Sequence, residues 1–178
     1  MKKLFLMLVA IFFVAISASA KKVLTETEGN VSDLKKCGKI TVRFDFEGAM
    51  YDSKEPLGNP YKNLNELIAK VPEWFAKGYK KEAKDSEIVN AGENPRYAIT
   101  IKVNNMDRYW KVFSLRDGNT TKMWGTITVK DVATGNVVCL LSVDECVGTP
   151  DYTVDESFLK CFKKLGEILG EVVKKGKL

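Results

Sequence analysis

The chain has 178 residues, with 28 Lys and Arg against 23 Asp and Glu, no histidine and a formal net charge of +5. The missing histidine removes the commonest general base near neutral pH, the Ser-His and Cys-His nucleophile pairs and most zinc sites with an open catalytic position. Basic and acidic residues are interspersed, not gathered on one element with aromatics between them, so the composition speaks against a nucleic-acid binder.

Met1 to Ala20 reads as a bacterial-type secretory signal: a charged start at Lys2 and Lys3, an apolar run from Leu4 to Ile16, and small residues ending in Ala18, Ser19 and Ala20. Cleavage is expected between Ala20 and Lys21. The apolar run falls short of the roughly 20 residues a spanning helix needs, and no later stretch is apolar enough, so the mature chain is expected to have no membrane span. A bacterial lipid anchor would need a cysteine just after the cut, where Lys21 and Lys22 stand. The expected destination is the periplasm or the exterior.

Residues 21–36 are polar and without period, and read as a leader into a single domain over 37–178. From Lys39 to Glu47 apolar Ile40, Val42, Phe44 and Phe46 alternate with Thr41, Arg43, Asp45 and Glu47, which predicts a half-buried strand. Gly48 to Pro60 is rich in breakers and reads as a loop. Leu64, Leu67, Ile68, Val71, Phe75 and Tyr79 then follow one helix face. Pro72 lies inside it, so the expectation is a kinked helix or two short helices meeting at Val71.

Tyr97, Ile99, Ile101 and Val103 predict a second alternating strand, and Trp110 to Leu115 a third. Thr121 to Lys130 and Val137 to Val143, separated by the turn residues Asp131 to Asn136, predict an antiparallel hairpin. Thr153-x-x-Glu156 has the form of a capping box. Behind it Phe158, Leu159, Phe162, Leu165, Leu169, Val172 and Val173 make one apolar helix face, with lysines and glutamates opposite. The small residues Gly166 and Gly170 suit close packing of this helix onto strands. The expected fold class is α+β: one mostly antiparallel sheet of four to five strands with two amphipathic helices packed on it, in the order β-α-β-β-β-β-α.

Four cysteines, Cys37, Cys139, Cys146 and Cys161, are an even number for an exported chain and make two disulfides chemically available. Three pairings are open. The strand-end positions of Cys37 and Cys146, and the apolar settings of Cys139 and Cys161, favour Cys37 with Cys146 and Cys139 with Cys161. No C-x-x-C spacing supports a zinc site, and no cofactor-binding pattern is present.

Three constellations bear on function. Ser157-x-x-Lys160 matches a serine-lysine dyad, but the supporting Ser-Asp-Asn and Lys-Thr-Gly motifs are missing, and both residues are expected on the wet helix face. Asp45 and Glu47, on one strand face about 6.5 to 7 Å apart, would suit the two-carboxylate logic of a glycan hydrolase, although a solvated strand face carries such residues for solubility alone. Tyr109, Trp110, Phe113 and Trp124 are close in sequence. An aromatic on a sheet surface can stack on a sugar or peptide, and Trp110 and Trp124 are the candidate ligand contacts.

The stretch Gly125-Thr126-Ile127-Thr128-Val129-Lys130-Asp131-x-x-Thr134-Gly135, followed by a terminal amphipathic helix with the pair Leu165-Gly166, resembles uncharacterised secreted proteins of Bacteroidota type. The resemblance implies an envelope location and no established activity. Taken together, the expectation is an exported, non-catalytic envelope protein that binds a ligand or partner or assists assembly. The alternative is a small carboxylate-dependent hydrolase acting on envelope or extracellular glycans. Nothing in the sequence identifies the ligand or envelope partner or sets an oligomeric state.

Overall fold

The alternating runs after Lys39 do become strands, and the helical runs become two helices laid on one face of the sheet they form. The computed structural model describes residues 22–35, 37–111 and 118–178. The signal at Met1–Ala20, the Ala20–Lys21 junction and residues 112–115 of the expected third strand lie outside these. In chain order the elements are β1 (Leu24–Gly29), β2 (Lys39–Asp45), β3 (Met50–Tyr51), β4 (Glu55–Pro56), α1 (Leu64–Glu82), β5 (Glu87–Ile88), β6 (Tyr97–Lys111), β7 (Gly118–Asp131), β8 (Val137–Val147) and α2 (Val154–Lys175).

Eight strands make one mixed sheet in the order β1-β8-β7-β6-β2-β5, with β3 pairing β4 and β6. This corrects the expected sheet of four to five mostly antiparallel strands. Three pairs, β2 with β5, β2 with β6 and β3 with β6, are parallel. The main one follows from chain order: α1 carries the chain from the end of β2 back across the sheet, so β6 re-enters alongside β2 in the same direction, as a strand–helix–strand unit requires.

Residues 22–35 are part of the domain, not a polar leader. β1 pairs antiparallel with β8 along the sheet edge, and a 3-10 turn over Val31–Leu34 follows it. Leu24, Val31 and Leu34 are buried in the common core. The expected strand at Tyr97–Val103 runs on to Trp110 and Lys111, the start of the expected third strand, as the fifteen residues of β6. The hairpin of β7 and β8 forms as expected, with Asp131 Oδ1 accepting from Thr134 N at 2.9 Å and Gly135 at φ +73°.

Ile40, Ile99, Ile101, Val103, Met123, Ile127, Val129, Leu141 and Val143 are buried on the helix side. Phe44 meets Phe75 of α1 and Phe162 of α2 edge-on, with ring centres 5.3 and 5.8 Å apart, so the aromatic centre of the core joins sheet and both helices. α1 is one continuous helix through Pro72, which lies on its exposed side. Gly166 and Gly170 face α1 and not strands: a Cβ on Gly166 would sit 2.2 Å from Phe75 O, and one on Gly170 2.7 Å from Tyr79 O. Gly78 of α1 makes the reciprocal approach, 2.0 Å from Lys163 O.

The opposite sheet face carries Thr100, Lys102, Trp124, Thr126, Thr128, Leu140 and Ser142, half-buried or exposed. No element among the described residues covers it.

Candidate functional site

Several sequence candidates are taken apart by the fold. Asp45 closes β2, and its Oδ1 accepts from Glu47 N at 2.9 Å, which turns the chain so that Glu47 leaves the strand. The two carboxylates therefore do not share a strand face, and a substrate has no opposed pair to sit between. Ser157 is buried, not solvated, with its hydroxyl 2.7 Å from that of Thr121, while Lys160 is ion-paired with Asp151. No dyad exists there. Among the described residues no group of three or more Cys, Asp or Glu is placed to hold a metal ion.

All four cysteines are buried thiols. Neither expected pairing has its partners side by side. Cys37 lies 3.2 Å from Ser86 Oγ in a buried cluster that also holds Tyr79, whose hydroxyl is 2.8 Å from the same serine. That cluster is at the far end of α2 from Cys161: Gly176 packs on Lys35, and Cys161 is about 20 Å back along the helix at 1.5 Å per residue. Cys139 is up β8 from Cys146 by roughly 20 Å at strand rise, so it cannot reach a partner of Cys146. The neighbours found are Cys146 and Cys161.

Of the two candidate tryptophans, Trp110 pairs with Asn119 in the β6–β7 ladder, and its side chain lies outside the described residues. Trp124 is the informative one. It sits half-buried on the uncovered face, and both strands beside it are bulged at its level. In β6 the ladder skips Asn104, going from Val103 opposite Gly125 to Asn105 opposite Trp124. In β8 the pairs jump from Cys146 opposite Met123 to Val143 opposite Gly125, leaving Asp144 and Glu145 against the single residue Trp124. Bulges of this kind re-aim side chains and are frequent beside functional sites.

The bulge in β8 puts Glu145 at φ +56°, the left-handed region that a non-glycine residue adopts only at a cost of about 1 kcal/mol. Its Oε1 thereby meets Lys122 Nζ at 2.5 Å, with both side chains mostly shielded, at 25% and 30% exposure. The hydrogen bond to Glu145 holds the Lys122 ammonium above its usual range against the opposing effect of burial. The same ammonium stands 4.7 Å from the centre of the Tyr109 ring. Asp107 pairs with Lys122, and Asn105 with Trp124, on the same strand face, so the Trp124 and Tyr109 positions lie about 13 Å apart along the sheet with the ion pair, a carboxylate and an amide between them. Gly125 permits the close approach of β7 to β6 beside the bulge, since a Cβ there would lie 2.2 Å from Lys102 O.

The sequence points to Trp124 and Tyr109, but not to Lys122, Asn105 or Asp107, nor to the pairing of Glu145 with Lys122. The available signals were a glycine inside a strand run, which marks a bulge or close approach, and the charged Asp144-Glu145 pair interrupting an apolar strand. Two concavities lie away from this patch: a cleft of 220 Å³ at the end of α2 floored by Leu24, Ile168 and Val172, and a wider, open hollow of 410 Å³ lined by Tyr61, Asn63 and Glu66 at the start of α1.

No protein-family model matches the chain, and no curated protein matches it. Among solved structures, the chain is similar to the PelC dodecamer from Paraburkholderia phytofirmans, at 13% identity and a TM-score of 0.46, covering 83% of this chain and 98% of that one. A single-substitution variant of that protein gives 16% identity and 0.44, covering 82% and 95%. A homolog of neuraminyllactose-binding hemagglutinin from Helicobacter pylori gives 9% identity and 0.33, covering 79% and 86%. At these scores no residue role passes from them to this chain.

Proposed function

We propose that the chain is an exported, non-catalytic binding protein of the cell envelope that takes a saccharide on the uncovered sheet face at Trp124. The observation that carries this reading is the pair of bulges on either side of Trp124, which sets an indole, the Tyr109 ring and a shielded Lys122–Glu145 pair on one patch. A pyranose ring has an apolar C–H face that stacks on such rings and hydroxyls at its rim that suit a carboxylate, an amide and an ammonium. Export rests on the signal pattern of Met1–Ala20, and β1 starts at Leu24, so a cut after Ala20 leaves the whole sheet intact. No described helix is long and apolar enough to cross a membrane. The alternative of a hydrolase acting through Asp45 and Glu47 loses its carboxylate pair, because Glu47 has left the strand that holds Asp45.

The test is a titration of the purified protein with chitohexaose and maltohexaose, followed by tryptophan fluorescence and calorimetry. Trp124→Ala should weaken binding tenfold or more, as removal of a central aromatic contact does. Trp74→Ala, on α1 and away from the patch, should leave it unchanged. Equal affinity in Trp124→Ala and the wild type, or no binding of either oligosaccharide, would overturn the reading.

A further inference from the structure

Cys146 lies in β8, one residue after the Glu145 bulge, and Cys161 lies in the second turn of α2; both are fully buried. Each thiol lies against the other's main chain: Cys161 Sγ donates to Cys146 O at 3.2 Å, and Cys146 Sγ is 3.8 Å from Cys161 O. The two backbones approach closely just beyond, where a Cβ on Gly148 would sit 2.8 Å from Cys161 N. This reciprocal placement sets each sulfur beside the residue that carries the other, the juxtaposition from which a disulfide is made. The neighbouring Cys146 thiol and burial together push the Cys161 thiol well above its ordinary range, which fits two sulfurs turned toward each other.

We propose that Cys146 and Cys161 form a disulfide as the chain folds, while Cys37 and Cys139 remain thiols. The oxidant is a disulfide of the thiol-exchange class, R–S–S–R. The thiolate of one cysteine attacks it, forming a mixed disulfide and releasing one R–SH, and the second cysteine then displaces the other R–SH. Two protein thiols thus give up two protons and two electrons, and the oxidant's S–S bond takes up both. The exchange belongs to folding because the finished core shields both sulfurs. Cys37 is committed to Ser86 and Tyr79, and burial raises the Cys139 thiol to about 11 with no second sulfur beside it among the described residues. The bridge would clamp the strained end of β8 to α2, directly behind Glu145.

The experiment starts from protein recovered from cells expressing the full chain, reduced and unfolded, then refolded in a mixture of reduced and oxidised glutathione. Free thiols are alkylated in denaturant and the chain is mapped by proteolysis and mass spectrometry. The expected map has one cross-link, between the peptides that carry Cys146 and Cys161, with alkylation at Cys37 and Cys139 only. Reduction should then lower the melting midpoint by roughly 5–10 °C, and Cys161→Ser should leave Cys146 alkylated. Four alkylated cysteines, glutathione retained on either residue, or a bridge that includes Cys37 or Cys139 would each overturn the proposal.

Discussion

Asp151 holds three segments at once. Its main chain exchanges hydrogen bonds with Asn119 at 2.7 and 2.9 Å, closing the end of β7, and its carboxylate accepts from Thr153 N at 3.2 Å at the start of α2. The same carboxylate is ion-paired with Lys160 about two turns further on. It thereby replaces half of the expected capping box: Thr153 Oγ1 accepts from Glu156 N at 3.2 Å, but the Glu156 side chain turns to Asp151. Burial alone would raise the Asp151 carboxyl; hydrogen bonds from Lys160, Glu156 and Thr153 N outweigh it and hold it at about 2. An unfolded aspartate titrates near 4, so the folded state binds this proton less readily than the unfolded one. The contribution is complete above about pH 4 and is lost as pH falls toward 2. The raised Glu156 carboxyl works the other way and keeps the net loss small. Asp151→Asn should therefore cost about 1 kcal/mol at pH 7 after solvent screening. Urea unfolding should show the gap to wild type shrinking between pH 4 and pH 2. A gap that stays constant with pH would place the effect in the backbone turn instead.

The contact between α1 and α2 rests on glycines where the two backbones cross. Gly166→Ala would drive a Cβ to 2.2 Å from a main-chain oxygen that no rotamer change can move aside. Overpacking of this kind costs about 1–3 kcal/mol, to be read as a lower midpoint in urea, whereas Gly92→Ala, in open space, should be neutral. The same pair of helices shows what was legible beforehand. Periodicity placed both, and turn chemistry placed the β7–β8 hairpin, because each signal lies in adjacent residues. The partner surface of Gly166 was not legible: a small residue announces a close approach without saying to what. Nor were β3, β4 and β5, each only two residues long and too short to show a period. The strand β1, Leu-Thr-Glu-Thr-Glu-Gly, buries only Leu24 and exposes the rest, as an edge strand does, so its polarity read as a leader. The patch at Trp124 was half legible, for the tryptophan is in the sequence while the bulges that arrange its neighbours exist only once three strands are paired.

At the scale of the whole molecule, two layers share one core that begins at Leu24 and ends at Val173. Removing residues 22–30 would strip β1 from β8 and leave a long, partly apolar edge that includes Val138 and Leu140. The truncated chain should associate as concentration rises, seen as growing mass in light scattering, while the complete chain should not. An unchanged monomer after truncation would show that β1 is dispensable as an edge cover. The pairing of β1 with β8 also sets an order of events. Thr27 bonds to Leu140 across 113 residues of sequence, and closing so large a loop is slow compared with local hairpin and helix formation. As a chain emerges from its amino end, β1 is the first strand to appear and its neighbour β8 the last. The earliest residues of the domain therefore wait exposed until almost the entire chain has been delivered.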